Sequence, residues 1–190
     1  MHGVRVAAHA TNDAAVYRAA LSGVNSIEHG YEVADSTLAL MARKGVTLTP
    51  TDIDSVSFLK YLKAQNPGVP EPPPSQVAGY LAQGRNRLMR AVKAGVTITA
   101  GSDNYIDFKT PQGLAAKQVL LAYRADGMTV AQVLQAATIN DARLLDMVGR
   151  IGVVKAGALA DLIAVDGDPL TDVTRLEHVD FVMVRGRTVE

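Results

Sequence analysis

The chain has 190 residues, 48% hydrophobic and 20% charged, with 19 lysines and arginines against 19 aspartates and glutamates, and no cysteine. That balance suits a globular protein with a real core and excludes disorder, a basic nucleic-acid-binding face and charge-run docking on a membrane surface. Without cysteine there are no disulfides or thiolate ligands, so a transition-metal site must use His, Asp, Glu or a modified Lys; the composition also fits a reducing compartment, with the cytoplasm favoured.

The opening MHGVRVAAHA has neither the long apolar core nor the cleavage site of a signal peptide. It reaches a strand within a few residues, so Met1 reads as an internal methionine of a longer protein. No apolar run approaches the ~18 residues needed to span a bilayer. A Gly-Val step opens four β-prone runs: VRVAAH after Gly3, VNSIEH after Gly23, VTLTPT after Gly45 and VTITAG after Gly95. Glycine stops a helix by taking the left-handed conformation, and the β-branched residues that follow suit a buried strand. Helices are predicted over residues 12–22, from a cap at Asp35 or Ser36 to Lys44, and over 75–94. Residues 51–74 form an insertion with a short helix near 55–64 and then the stiff loop PGVPEPPP, a candidate wall or lid for a substrate. Further helices are predicted over 113–125, 129–137 and 140–147, with Thr129 and Asn140 as N-caps. After Gly149 helical periodicity gives way to short β segments, IGVV, ADLIAVD, VDFVMV and RTV. The chain therefore divides into residues 1–148, a parallel sheet with helices outside it, and residues 149–190, a β-rich portion.

Counting from each glycine, His9, His29, Thr51 and Gly101 all lie six residues on, with Asp103 two further. Equal offsets put them at one height, at the carboxyl ends of neighbouring parallel strands, where active sites of such sheets form. Two imidazoles and a carboxylate suit Zn²⁺ or a similar divalent ion, which would acidify a bound water, with the carboxylate shuttling its proton. Each residue also has a plainer reading: a lone strand-end histidine is commonly structural, and Asp103 in GSDN could be a turn residue. Glu28 should point away from His29 and make a structural hydrogen bond. His2 and His178 read as structural. Tyr31, Thr51, Asn104 and Tyr105 are candidates to line the substrate cup.

The segments VAAHA, SIEHG, TAGSD, ATIND with ARLL, and IGVVKAGALADLIAVDGDP resemble the amidohydrolase superfamily, and SGVNSIEHG with KGVTLTPT is similar to its imidazolonepropionase-like and prolidase-like branch. The resemblance covers essentially the whole chain. It implies an α/β fold, the C-terminal half of a (β/α)8 TIM-like barrel (strands five to eight) followed by part of a small β-sandwich. It implies one or two divalent metal ions, Zn²⁺ favoured. His9 and His29 correspond to the ligands on strands five and six, and Asp103 to the eighth-strand aspartate that binds metal and acts as general base and acid. The implied activity is hydrolysis of an amide, cyclic amide or dipeptide-like carbon–nitrogen bond in a small molecule, with a deaminase as the alternative within enzymes. The family's first-strand His-x-His pair and fourth-strand lysine have no counterpart here, so the chain reads as part of a longer parent enzyme. A catalytically incomplete assembly half is the alternative. The expected partners are a small-molecule substrate, a missing N-terminal half and a possible homo-oligomer, with specificity from residues 51–74 and 104–110. A non-metal α/β binding protein would explain the strands but not the equal offsets.

Overall fold

A computed structural model describes residues 3–105 and 110–189. His2 and residues 106–109 of the expected specificity loop lie outside them.

The first sheet is parallel and consecutive: β1 (Ala7–Asn12), β2 (Ser26–Glu32) and β3 (Thr47–Thr49). Each connection carries a helix, α1 (Asp13–Ser22) and α2 (Asp35–Lys44). Both helices end on a left-handed glycine: Gly23 has φ 84° and Gly45 has φ 69°. An L-residue pays a steric penalty in that conformation, which is why the Gly-Val step marks the strand entries so clearly. Asn12 accepts a hydrogen bond from the Ala15 amide at the start of α1. The expected cap at Asp35 or Ser36 is corrected. Ala34 occupies the cap with no side-chain bond, and Asp13 reaches over to accept from its amide at 2.8 Å.

The fourth β-prone run is barely a strand. Among the described residues it meets β3 through a single parallel bridge, Leu48 with Ile98, carried by Leu48 N to Thr97 O at 2.9 Å and Thr99 N to Leu48 O at 3.0 Å. Before it come α3 (Ser55–Gln65), within the insertion, and α4 (Pro74–Lys93), with proline in the first helical turn where its missing amide costs nothing. Then follow α5 (Gln112–Ala125), α6 (Val130–Gln135), a π-helical turn (Ala136–Asn140) and α7 (Asp141–Leu144). Thr129 caps α6 as expected, and beyond that expectation it forms a full capping box with Gln132. Asn140 does not cap. It is helical, and its amide donates instead to the Ile98 carbonyl at 2.9 Å.

One face of the parallel sheet packs against the helices: Ile27, Leu48 and Ile98 are buried with Val16, Leu38, Met41 and Leu88. The other face is polar. Ser26, Glu28, Thr49 and Thr99 line a cleft of about 470 Å³ there, and Ser26 donates to Glu28 at 2.6 Å. The structural hydrogen bond expected of Glu28 is thus present.

The tail forms a second, antiparallel sheet of β4 (Leu162–Ala164), β5 (Phe181–Val184) and β6 (Arg187–Val189). The IGVV segment contributes only an isolated bridge, Val148 with Ile151. A 3₁₀ turn (Val173–Glu177) buries Val173 and Leu176 in the main core, and Lys117 of α5 donates to the Glu177 carbonyl at 3.1 Å. His178 follows that turn, among the tail residues. No helix among the described residues is long and apolar enough to cross a membrane.

Candidate functional site

The carboxyl ends of the strands share an unusual backbone feature. His29, Thr51 and Asp103 have φ of 75°, 58° and 48°, all in the left-handed region although none is glycine. Such residues cost on the order of 1–3 kcal/mol each and cluster where a side chain must be aimed.

At His29 the consequence is visible. Ile27 and His29 have the same parity on β2, so regular alternation would send the imidazole to the helix-packed side with Ile27. The left-handed turn breaks the alternation. His9 pairs with Glu28 in the sheet register, and the His9 and His29 rings meet edge to face with centroids 4.7 Å apart.

His29 is 7% exposed. Its Nδ1 lies 2.8 Å from the Thr51 hydroxyl and 3.2 Å from the Tyr31 hydroxyl. The Thr51 hydroxyl donates to the Pro50 carbonyl at 2.7 Å, so its oxygen is left as an acceptor. Nδ1 is engaged by the Thr51 and Tyr31 hydroxyls; with the proton on Nδ1, Nε2 keeps the lone pair, the tautomer that suits a ligand or base. Burial lowers the His29 pKa; Asp103 opposes this, while His9 adds to the lowering. The ring is neutral near pH 7.

Asp103, on the exposed side of the site, lines a cleft of about 380 Å³ with Tyr31, Thr51, Asn104 and Tyr105. The structure thus gathers the four proposed substrate-lining residues and the carboxylate in one cleft, with the paired imidazoles joined to it through Thr51 and Tyr31. The fit to a metal ion is partial. Two imidazoles and a carboxylate are suitable donors, but among the described residues no three His, Cys, Asp or Glu side chains are grouped to hold an ion. The expected convergence of all three around one cation is met by the imidazole pair alone.

Sequence reasoning missed Arg87. It is 2% exposed, on α4, and its Nη1 donates to the His29 carbonyl at 2.6 Å. Its Nη2 pairs with Asp52, and its guanidinium lies 5.5 Å from the centroid of the Tyr31 ring. Burial pushes the Asp52 carboxyl up while Arg87 pulls it down. Arg87 thereby clamps the backbone of the β2 turn to the residue following Thr51. Its signal was an arginine on the buried stripe of α4, beside Leu88 and Ala91, three residues after Gly84. A Cβ at Gly84 would come within 3.1 Å of the Asp52 carboxylate.

Comparison with known proteins gives a consistent picture. The model described as "Amidohydrolase family" matches residues 1–189. An uncharacterized protein of Mycobacterium bovis is 34% identical over 98% of this chain, and the chain spans about half of that relative, 48% of its length. Among solved structures, a Xaa-Pro dipeptidase with methionine bound in its active site superposes with a TM-score of 0.82 at 30% identity, over 100% of this chain and 45% of that one. A prolidase complexed with N-methylphosphonate-L-proline gives 0.80 at 31% identity, over 98% and 45%.

Proposed function

This chain belongs to the amidohydrolase family, and from that premise we propose that it supplies one half of the active site of a metal-dependent enzyme hydrolysing a carbon–nitrogen bond in a small amide- or dipeptide-like molecule. The observation that carries the reading is the edge-to-face pair of imidazoles at 4.7 Å, beside a cleft that contains Asp103. In this reading residues 1–148 are strands five to eight of a barrel with their helices, and 149–190 are the C-terminal portion of a β-sandwich. The chain spans about half of its relatives, which is in keeping with a parent enzyme twice as long.

His9 and His29 would hold a divalent cation, Zn²⁺ by preference, together with ligands from outside this chain. When bound, such an ion supplies Lewis acidity to a carbonyl and acidity to a water. Thr51 and Tyr31 orient the His29 ring, Arg87 holds its backbone, and Asp103 takes the proton of the attacking water and passes it to the departing amine.

The test uses the complete product of the gene with added Zn²⁺ and a panel of N-acyl amino acids and dipeptides. Asp103→Asn should lower kcat by about 10²–10⁴-fold. His29→Ala should also release the metal, read as zinc content after dialysis. Unchanged turnover in either variant would reject the proposal. The second reading, an assembly half inactive alone, rests on the 48% span and the absence of a three-residue ligand group among the described residues. It predicts no stoichiometric Zn²⁺ on the 190-residue chain; a deaminase would release ammonia from amino-heterocycles instead of cleaving the amide panel.

A further inference from the structure

The cleft beside Asp103 does not stop at the strand ends. Phe58 of α3 and Tyr80 of α4 stack face to face, with centroids 4.1 Å apart and planes 9° from parallel. Those two rings and Leu62 belong to two cavities at once, the Asp103 cleft of about 380 Å³ and a second of about 360 Å³. The second is walled by Leu59, Val69, Pro70 and Pro72 of the insertion, and its charged side chains, Lys63 and Glu71, are of opposite sign. The chain has six tyrosines, and Tyr31, Tyr61, Tyr80 and Tyr105 all line the Asp103 cleft. Among its described lining residues Asp103 is the one formal charge, and no lysine or arginine is present.

The insertion is fastened over this space. Gln65 Nε2 donates to the Tyr105 hydroxyl at 3.1 Å, and Lys60 Nζ to the Thr110 hydroxyl at 3.1 Å. Helix α3 is thereby tied to both described flanks of the loop that follows Asp103.

We propose that the α3–α4 side of the Asp103 cleft is a subsite for an uncharged aryl group carried by the substrate, and that Phe58, Leu62 and Tyr80, which wall it, set specificity for it. The inference rests on the hydrolase reading for the position of the reacting bond, which lies at the Asp103 end, with the aryl group extending beneath α3. Flat aromatic walls bind a flat ring by stacking and by removing apolar surface from water. A walled, largely apolar chamber disfavours a charged group that finds no partner. The rival ligand for a group of phenols beside a carboxylate is an ammonium held by its attraction to the ring faces and to Asp103.

The experiment separates these and needs no hydrolysis. The complete product of the gene is titrated calorimetrically with 3-phenylpropan-1-ol, propan-1-ol and butylammonium, none of which has a bond to cleave. The aryl alcohol should bind at least tenfold more tightly than either of the others. That preference should fall at least fivefold in Tyr80→Ala and in Leu62→Arg, two variants on different helices, each checked for unchanged far-UV circular dichroism. Equal affinities, tighter binding of butylammonium, binding of none of the three, or an undiminished preference in both folded variants would overturn the proposal. Because no probe is a substrate, such a failure leaves the hydrolase reading standing, and a failed hydrolysis assay leaves this result intact.

Discussion

Arg87 is the side chain on which the geometry at His29 depends. Its guanidinium is almost wholly buried and bonded to the His29 carbonyl and to Asp52. Removing one member of a buried ion pair strands the other charge, so Arg87→Met should lower the unfolding free energy by about 3–5 kcal/mol, and adding Asp52→Leu should restore most of it. Urea denaturation of the single and double variants measures this; a loss below about 1 kcal/mol for the single would show that the pair is not structural. Asp141 gives the pH dependence. Burial raises its pKa to about 6, and its carboxylate accepts from the Ala100 amide at 3.1 Å. The folded state therefore favours the protonated form, and stability is lost as pH rises from the unfolded value of 3.8 through about 6, then levels off. Asp141→Asn keeps an acceptor for Ala100 and should flatten that fall, leaving the protein more stable at pH 7 by roughly 1–2 kcal/mol after allowance for partial solvent access. An unchanged slope between pH 4 and 7 in thermal melts would count against the raised pKa. His9, His29 and Asp103 stood out in the sequence as candidates because their chemistry and their spacing from glycine coincide. Arg87 was not, because an arginine on a helix is normally solvated, and only three-dimensional packing shows this one facing inward.

Helices α1, α2, α4 and α5 follow the predicted limits closely, because amphipathic periodicity and glycine stops are local properties. The π turn at Ala136–Asn140 was not legible. A widened turn leaves the residue pattern almost unchanged, and this one sits where Asn140 reaches the Ile98 carbonyl. The VTITAG run was read as a strand equal to the others but shows only the Leu48–Ile98 bridge, because a strand is defined by its neighbours and this run has one described partner. Gly152 tests how the tail is joined to the helices. It has φ 70°, and a Cβ there would lie 2.5 Å from the Thr138 carbonyl oxygen, a backbone atom with little freedom to move. Gly152→Ala should cost about 2 kcal/mol or more, against about 1 kcal/mol for Gly45→Ala, where nothing lies within 4 Å. Comparable melting temperatures for the two variants would mean that the junction relaxes freely.

For the molecule as a unit, the open sheet is the dominant fact. Among the described strands β1 pairs on one side with β2, and the polar face bearing Ser26, Glu28, Thr49 and Thr99 borders a cleft rather than a second layer. Val4 and Val6, just before β1, are 74% and 49% exposed. An unpaired strand edge beside exposed valines is a template for association. The 190-residue chain in isolation should therefore associate with itself at micromolar concentration, with a sedimentation coefficient that rises with concentration. A concentration-independent monomer would show that this edge is tolerated in water.

Local chemistry was sufficient to reveal the alternation of helix and strand, the glycine punctuation and the three candidate ligand positions, because each depends on a few consecutive residues and a fixed repeat. The folded chain alone could reveal that His29 turns against alternation to meet His9, that Arg87 anchors that turn, and that the insertion builds an aromatic chamber over Asp103. Those features join residues tens of positions apart, and no short-range pattern encodes a contact of that kind.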